Sequence, residues 1–279
     1  MRIVRTVTEL REALREPRAR GERIGLVPTM GAFHAGHVAL MREARGGSDV
    51  VVVSLFVNPS QFNASEDLAR YPRDEVADAR VAEAEGVDLL FAPSADELYP
   101  PGFDTWVEPG KLGSGLEGGV RPGHFRGVAT VCAKLFAIVG PTAAWFGQKD
   151  AQQAAVVRRM VADLNLPIAL RVLPTVRDPD GLALSSRNVF LSEVERSVAL
   201  ALPRALDAGA AAHASGADPV TAARRVLDAE RALSVEYVAV AEFDVPTLVA
   251  AVRVGATRLI DNAPLVDNGP VTTDAARHG

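Results

Sequence analysis

The feature that most constrains this chain is a rhythm. Over the first 175 or so residues, strand-like runs alternate with helix-like ones. DVVVVSLFV at 49–57 is a continuous, mostly β-branched apolar run, the pattern of a strand covered on both faces. Residues 24–29 read as a buried strand with Pro28 at its end, and 36–45 as a short helix. DEVADARVAEAEG at 74–86 reads as a helix closed by Gly86, with a strand following at 87–93. Between 125 and 139, Val128, Val131, Cys132, Leu135, Phe136 and Val139 fall at helical spacing. A strand at 143–147, a helix at 150–164 and a strand at 168–176 complete the series. Such alternation predicts an α/β fold with a doubly wound, mostly parallel sheet of Rossmann-like type. Ligands of such sheets collect beyond the C-terminal ends of the strands, so functional residues are expected just after strands.

The pattern changes near residue 175. RDPDG at 177–181 is a turn, and Ser192 with Glu195 makes a capping box opening a long Ala-rich helix. Asp218 and Pro219 mark the start of another helix. Runs at 235–244 and 256–266 look like strands, and the polar tail from Asp267 is expected to fray. The predicted organisation is a Rossmann-like domain over 1–175 and a smaller α+β domain over 176–279.

Composition narrows the function classes. A net charge of −5 argues against a nucleic-acid partner, which usually meets a basic field. Cys132 is the only cysteine, which excludes an internal disulfide and any cysteine-built zinc site. The charged, amphipathic N-terminus MRIVRTVTELREALRE lacks the apolar run of a signal peptide. No apolar stretch approaches the roughly 18–20 residues of a membrane span. These features predict a cytoplasmic protein whose partners are small molecules or a second copy of itself, not a membrane.

The richest segment is PTMGAFHAGHVAL at 28–40. A strand ends, glycines permit a tight turn, and a helix begins near Gly36. Unsatisfied N–H groups and partial positive charge at a helix start suit phosphate oxygens. His34 and His37 lie three apart and face one side of a helical turn, where imidazoles can donate to a phosphate or move a proton. The bland alternative is two solvated histidines capping a helix.

This His-x-Gly-His signature resembles that of the HxGH nucleotidylyltransferase superfamily. SLFVNPSQFNASEDLARYPRD at 54–74, RPGHFRGVATV at 121–131, WFGQKDAQQ at 145–153 and TVRDPDGLALSSRN at 175–188 follow in order. Together the five segments resemble the motif series of the pantothenate synthetase (pantoate–β-alanine ligase) family. The resemblance implies ATP-dependent condensation of (R)-pantoate with β-alanine through a pantoyl-adenylate, releasing AMP and pyrophosphate. It also implies Mg²⁺ accompanying ATP, and a homodimer. Residues 30–37 (Met30, Gly31, Ala32, Phe33, His34, Ala35, Gly36 and His37) would bind ATP, His37 acting as proton donor. Gly147, Gln148, Lys149 and Asp150 would join them, with Val176 through its backbone and a clamp of Leu184, Ser185, Ser186 and Arg187. His34, His37, Lys149 and Arg187 are the implied catalytic groups. Gln61 and Gln153 would hold pantoate, and Asn58, Tyr71 and Arg121 match further substrate positions.

The chemistry fits these residue types. A carboxylate must approach an anionic triphosphate, so cations have to screen the repulsion. Lys149 supplies a compact charge and Arg187 a planar fork. Gln61 and Gln153 can both donate to and accept from a hydroxy acid. Gln152 and Gln153 point about 100° apart on a helix, so only one is expected to face a ligand, and Gln152 reads as a surface residue. Cys132 reads as a packed core thiol. Glu66, Asp67 and Asp74 could approach a metal but read equally as solvated carboxylates, and the metal ligands stay unassigned. The chain departs from the family pattern at Gln148, where Glu is usual, and at Ala151, where Tyr is common; Phe33 and Leu184 replace the commoner Leu and Met. Two other readings remain open at this stage. One is a simple nucleotidylyltransferase that leaves AMP on its product; the other is a nucleotide-binding regulator without catalysis.

Overall fold

The structure, a computed structural model, describes residues 1–62, 68–69 and 71–266. Glu66, Asp67 and the tail from Asp267 lie outside the described residues. The chain divides into two compact units, Met1–Val189 and Phe190–Gly279. The turn at 177–181 therefore belongs to the first unit, where an isolated antiparallel bridge joins Arg177 to Ala183 and Leu182 is buried.

The first unit is built on six strands: β1 (Arg2–Val4), β2 (Ile24–Thr29), β3 (Val50–Leu55), β4 (Leu89–Phe91), β5 (Ala143–Gly147) and β6 (Ala169–Leu173). Their order is β1-β4-β3-β2-β5-β6, and every neighbouring pair is parallel. Strand β3 shows why. Val50 and Val52 enter one hydrophobic cluster, Val51 and Val53 the other, so both faces are covered. Burying each such side chain contributes about 1.5–3 kcal/mol. The strand order reverses between β2 and β5, which makes a crevice at the C-terminal ends of those two strands.

Helices of the first unit include α1 (Val7–Ala13), α2 (Arg15–Ala19), α3 (Ala35–Gly47), α4 (Glu75–Ala84), α5 (Ala95–Leu98), α6 (Glu117–Val120), α7 (His124–Val139) and α8 (Ala151–Asp163). Helix α7 is the most enclosed of these, and all six residues that its sequence spacing picks out are buried. Strand β1 and the Thr6–Glu9 capping box of α1 were not anticipated, because three residues carry too little periodicity to register.

The second unit contains α9 (Glu193–Ala199), α10 (Ala201–Ala214), α11 (Pro219–Ala229) and an antiparallel sheet β7-β8-β9. Its strands are β7 (Leu233–Glu242), β8 (Pro246–Val254) and β9 (Thr257–Pro264). The Ser192–Glu195 capping box is present, but the single long helix is not: the chain breaks at Leu200. Pro203 is the reason. It cannot donate to the carbonyl four residues back, so a new helix starts in which it occupies the first turn. Strand β8 was missed because Ala250 and Ala251 interrupt its β-branched run, and a short apolar stretch of that kind does not separate strand from helix. Among the described residues no helix is long and apolar enough to cross a membrane.

Candidate active site

A cavity opens in the first unit beyond the strand ends, lined by Thr29 of β2, Ser54 of β3, Phe146 and Gly147 of β5, and Leu173 of β6. Two turns project functional groups into it.

The first turn joins β2 to α3. Gly31 has φ of 89° and Ala32 φ of 53°, so the backbone passes through the left-handed region twice. For Ala32 this costs about 1–2 kcal/mol. Asp78 of α4 offsets it. The carboxylate is only 4% exposed, and its two oxygens accept from Ala32 N at 2.9 Å and Phe33 N at 2.7 Å. Hydrogen bonds to a charged group contribute about 1.5–3 kcal/mol each, enough to outweigh the strain. A Cβ on Gly31 would lie 2.8 Å from Asp78 Oδ2 and 2.7 Å from Leu55 Cδ1, so a larger residue would have to displace both, on a backbone whose φ already favours glycine.

His34 and His37 follow as a capping box made of imidazoles. His34 Nδ1 accepts from Gly36 N at 3.1 Å, and His37 Nδ1 accepts from His34 N at 3.3 Å. Each Nδ1 acts as an acceptor, which leaves the proton of each ring on Nε2. Both rings line the cavity with their centroids 4.2 Å apart. These histidines cap the helix, as the bland alternative held, but they are partly buried and both rings also line the cavity. The helix N–H groups expected to meet phosphate are largely committed, and the Nε2–H groups replace them as donors. Burial, then the neighbouring His34, pushes the pKa of His37 down to about 3. His34 is lowered by burial first and by the charge of Lys149 second. Both rings are neutral at pH 7.

The second turn, Pro59–Gln61, follows β3. Asn58 is 1% exposed and fully engaged: Nδ2 donates to Gln61 Oε1 at 3.0 Å and to Gly127 O at 3.2 Å, while Oδ1 accepts from Tyr99 OH at 2.9 Å. With Oε1 occupied, Gln61 gives its NH₂ to the weak acceptor Met30 Sδ at 3.0 Å, and both residues line the cavity. Gln61 O accepts from His124 Nδ1 at 2.8 Å and from Arg121 at 3.3 Å. His124 Nε2 lies 3.2 Å from Arg121 Nη1 and accepts from it. Burial and then the Arg121 charge push His124 down to about 4, which keeps that acceptor free of a proton.

Cations gather at the remaining wall. Lys149 and Asp150 sit on the short turn after β5, and a hairpin brings Arg187 to the same cavity. Leu184 N donates to Val176 O at 3.0 Å and Gly181 N to Asp178 O at 2.8 Å, which closes that hairpin. Ser185 Oγ accepts from Arg187 N at 3.2 Å, so this hydroxyl does turn chemistry at the cavity edge. Ser186 bonds the Tyr71 hydroxyl. Burial works to raise the Asp150 pKa, but the charges of Lys149 and Arg187 prevail, and the carboxyl stays below its usual range. It is the carboxylate of the cavity lining, set among cations.

Of the residues expected at the site, Met30, His34, Gly36, His37, Asn58, Gln61, Tyr71, Arg121, Gly147, Lys149, Asp150, Gln153, Val176, Leu184, Ser185, Ser186 and Arg187 line the cavity. Gly31, Ala32, Phe33, Ala35 and Gln148 are not among the lining residues. Gln152 is corrected: it is buried, not on the surface, and ties down a loop through Leu112 O, Gly115 O and Glu117 N. Cys132 is buried in the core and also forms part of the cavity's apolar wall, with its pKa pushed up to about 12 by burial. Asp74 caps α4 through Ala77 N at 2.9 Å. Sequence reasoning missed Asp78 and His124. The first sits among other acidic residues of a polar helix; the second lay inside the RPGHFRG segment, one turn from Arg121, and could have been found there.

A parallel sheet with a His-x-Gly-His turn at its switch point, opposed by lysine and arginine, defines an α/β enzyme of the HxGH nucleotide-handling class. The particular family follows from comparison: the sequence profile described as pantoate-beta-alanine ligase matches residues 2–264, and the chain belongs to that family. It is a ligase that forms an amide bond. A pantothenate synthetase of Roseiflexus sp. (strain RS-1) is 52% identical over 95% of this chain and 99% of the relative. The crystal structure of pantothenate synthetase from Thermus thermophilus is similar at a TM-score of 0.88 and 47% identity, covering 95% of this chain and 99% of that one. A pantoate-beta-alanine ligase from Francisella tularensis, complexed with beta-gamma ATP and beta-alanine, superimposes at 0.82 with 33% identity, covering 95% and 98%.

Proposed function

We propose that this ligase makes pantothenate from (R)-pantoate and β-alanine in two steps. A pantoate carboxylate oxygen attacks the α-phosphorus of ATP, and the bond to the β-phosphate breaks to release pyrophosphate. The β-alanine amine then attacks the acyl carbon of pantoyl-adenylate. The carbon–oxygen bond to AMP breaks, and the amine proton passes to solvent. One observation carries the reading: a single cavity is lined both by phosphate-type donors (His34, His37, Lys149, Arg187) and by neutral amides suited to a hydroxy acid (Gln61, Gln153).

Each group has a physical task. Negative charge grows on the leaving pyrophosphate, and fixed donors stabilise it without reorganising. Neutral His37 and His34 give Nε2–H bonds, so His37 acts first as a hydrogen-bond donor; an incoming polyanion would raise its pKa and make proton transfer accessible. Lys149 and Arg187 screen the approach of carboxylate to triphosphate. Arg121 and Tyr71 serve substrate carboxylate and hydroxyl groups. Holding both reactants in line removes much of the entropic barrier.

Mg²⁺ fits this site only as a companion of the nucleotide. The lining carboxylate, Asp150, already faces cations, and among the described residues no cluster of three or more His, Cys, Asp or Glu could hold a metal. The ion would therefore ride on phosphate oxygens and water, neutralising charge there. A homodimer, a cytoplasmic setting and a lid role for the second domain complete the proposal; the lid follows from the need to keep water from an adenylate.

Exchange of labelled pyrophosphate into ATP that depends on pantoate is the deciding experiment. AMP release should then require β-alanine. Active, folded protein that shows no exchange would sink the proposal.

A further inference from the structure

Gln61 owes its position to an absence. A Cβ added at Gly127 of α7 would lie 2.4 Å from Ser60 O and 2.7 Å from Gln61 N, both backbone atoms that cannot swing aside. Because residue 127 has no side chain, the Pro59–Gln61 turn rests backbone-to-backbone on the helix. His124, one turn earlier, holds the next peptide of the same turn by donating to Gln61 O at 2.8 Å, and Gly127 O receives the Asn58 amide at 3.2 Å. The Asn58 amide in turn occupies Gln61 Oε1. We infer that Gly127 and His124 are positioning residues for substrate selection: together they fix the turn so that Gln61 presents its NH₂, a donor, and selects an acid whose oxygen can accept. This inference rests on the reading that Gln61 holds the pantoate half of the reaction.

The logic separates the two residues. Gly127 permits the close approach of the turn, because any side chain there would occupy the space that Ser60 O and Gln61 N fill. His124 contributes only as long as Nδ1 carries the proton, and Arg121 donating to Nε2 at 3.2 Å enforces that tautomer. A helix interior favours Ala over Gly, so the cost of Gly127→Ala falls on the contact with the Ser60–Gln61 turn and not on the helix, and urea unfolding of the variant checks that it folds.

The test is a double-mutant cycle on the wild-type enzyme, G127A, Q61A and the pair, read by pantoate-dependent pyrophosphate exchange. G127A should lower kcat/KM for pantoate about 10- to 100-fold while KM for ATP moves less than about 3-fold. In the Q61A background the same substitution should cost less than about 3-fold, because its effect passes through Gln61. H124A should raise KM for pantoate by about 5- to 10-fold, and H124N, which restores an N–H near the Nδ1 position, should recover part of it. Unchanged pantoate kinetics in G127A would overturn the inference, as would equal losses for both substrates that persist undiminished in Q61A. If wild type shows no exchange, the functional reading fails instead; the crystal structure of G127A then tests the positioning directly, since an undisplaced Ser60–Gln61 turn would refute it.

Discussion

The two turns that feed the cavity are held in opposite ways. The one between β2 and α3 is held by charge: Asp78 gives both carboxylate oxygens to Ala32 and Phe33 and keeps a left-handed backbone in place. The one after β3 is held by shape and neutral hydrogen bonds, resting on Gly127 and tied by Asn58 and His124. Under the function proposed above, the difference follows what each turn would meet, phosphate at the first and a hydroxy acid at the second. A turn that receives phosphate has to offer donors, so its own anchor is an anion placed behind it, out of the cavity. A turn that reads a hydroxy acid needs an amide of one orientation, so its anchor is a network in which each donor and acceptor is already assigned.

The largest break should come from the phosphate turn itself. His37→Ala removes an Nε2–H donor and the acceptor for His34 N, and should lower kcat for pyrophosphate exchange about 100-fold or more. Asp78→Ala comes next. It orphans two backbone N–H groups and frees Ala32 from its strained φ, so kcat/KM for ATP should fall about 10- to 100-fold, with a stability loss of about 2–4 kcal/mol measurable by urea unfolding. Pantoate KM should change far less; if it rises in parallel, the two turns are not held independently.

A pH series sharpens the comparison at moderate amplitude. Folding lowers His37 to about 3 and His124 to about 4, against an ordinary value near 6.5. The unfolded chain therefore takes up these protons first. Above about pH 6.5 the rings contribute no pH dependence; as pH falls toward their folded values, stability is lost. Thermal melts from pH 7 to pH 4.5 should show Tm falling, and His124→Gln should flatten the slope. A slope unaffected by that change would remove the buried neutral histidine from the account. The smallest effect is expected for Tyr71→Phe, which deletes the bond to Ser186 beyond the Gln61 turn and should change kcat/KM only about 2- to 5-fold.

Much of this was legible in the sequence because it depended on local pattern. The β-branched run of β3 announced a covered strand, and the alternation announced a parallel sheet, as both proved. The Ser192 and Asp218 caps fell where side-chain chemistry put them. What stayed hidden depended on distant partners. Asp78 acts across 46 residues on Ala32, and nothing local distinguishes it from the acidic residues around it. Strand β8 lost its signal because Ala250 and Ala251 interrupt the β-branched run that marked β3. The roles of individual cavity residues came from resemblance, since spacing alone could not separate a ligand amide from a structural one.

That last point has a consequence at the start of α8. Two identical residues stand side by side there, Gln152 turned inward to fasten a loop and Gln153 turned to the cavity. Nothing but rotational phase distinguishes their duties. One residue inserted between β5 and this pair would aim Gln152 where Gln153 now points and carry Gln153 about 100° further round; one deleted would put Gln153 in the place of Gln152. The length of chain between β5 and this pair therefore decides which amide reaches the cavity.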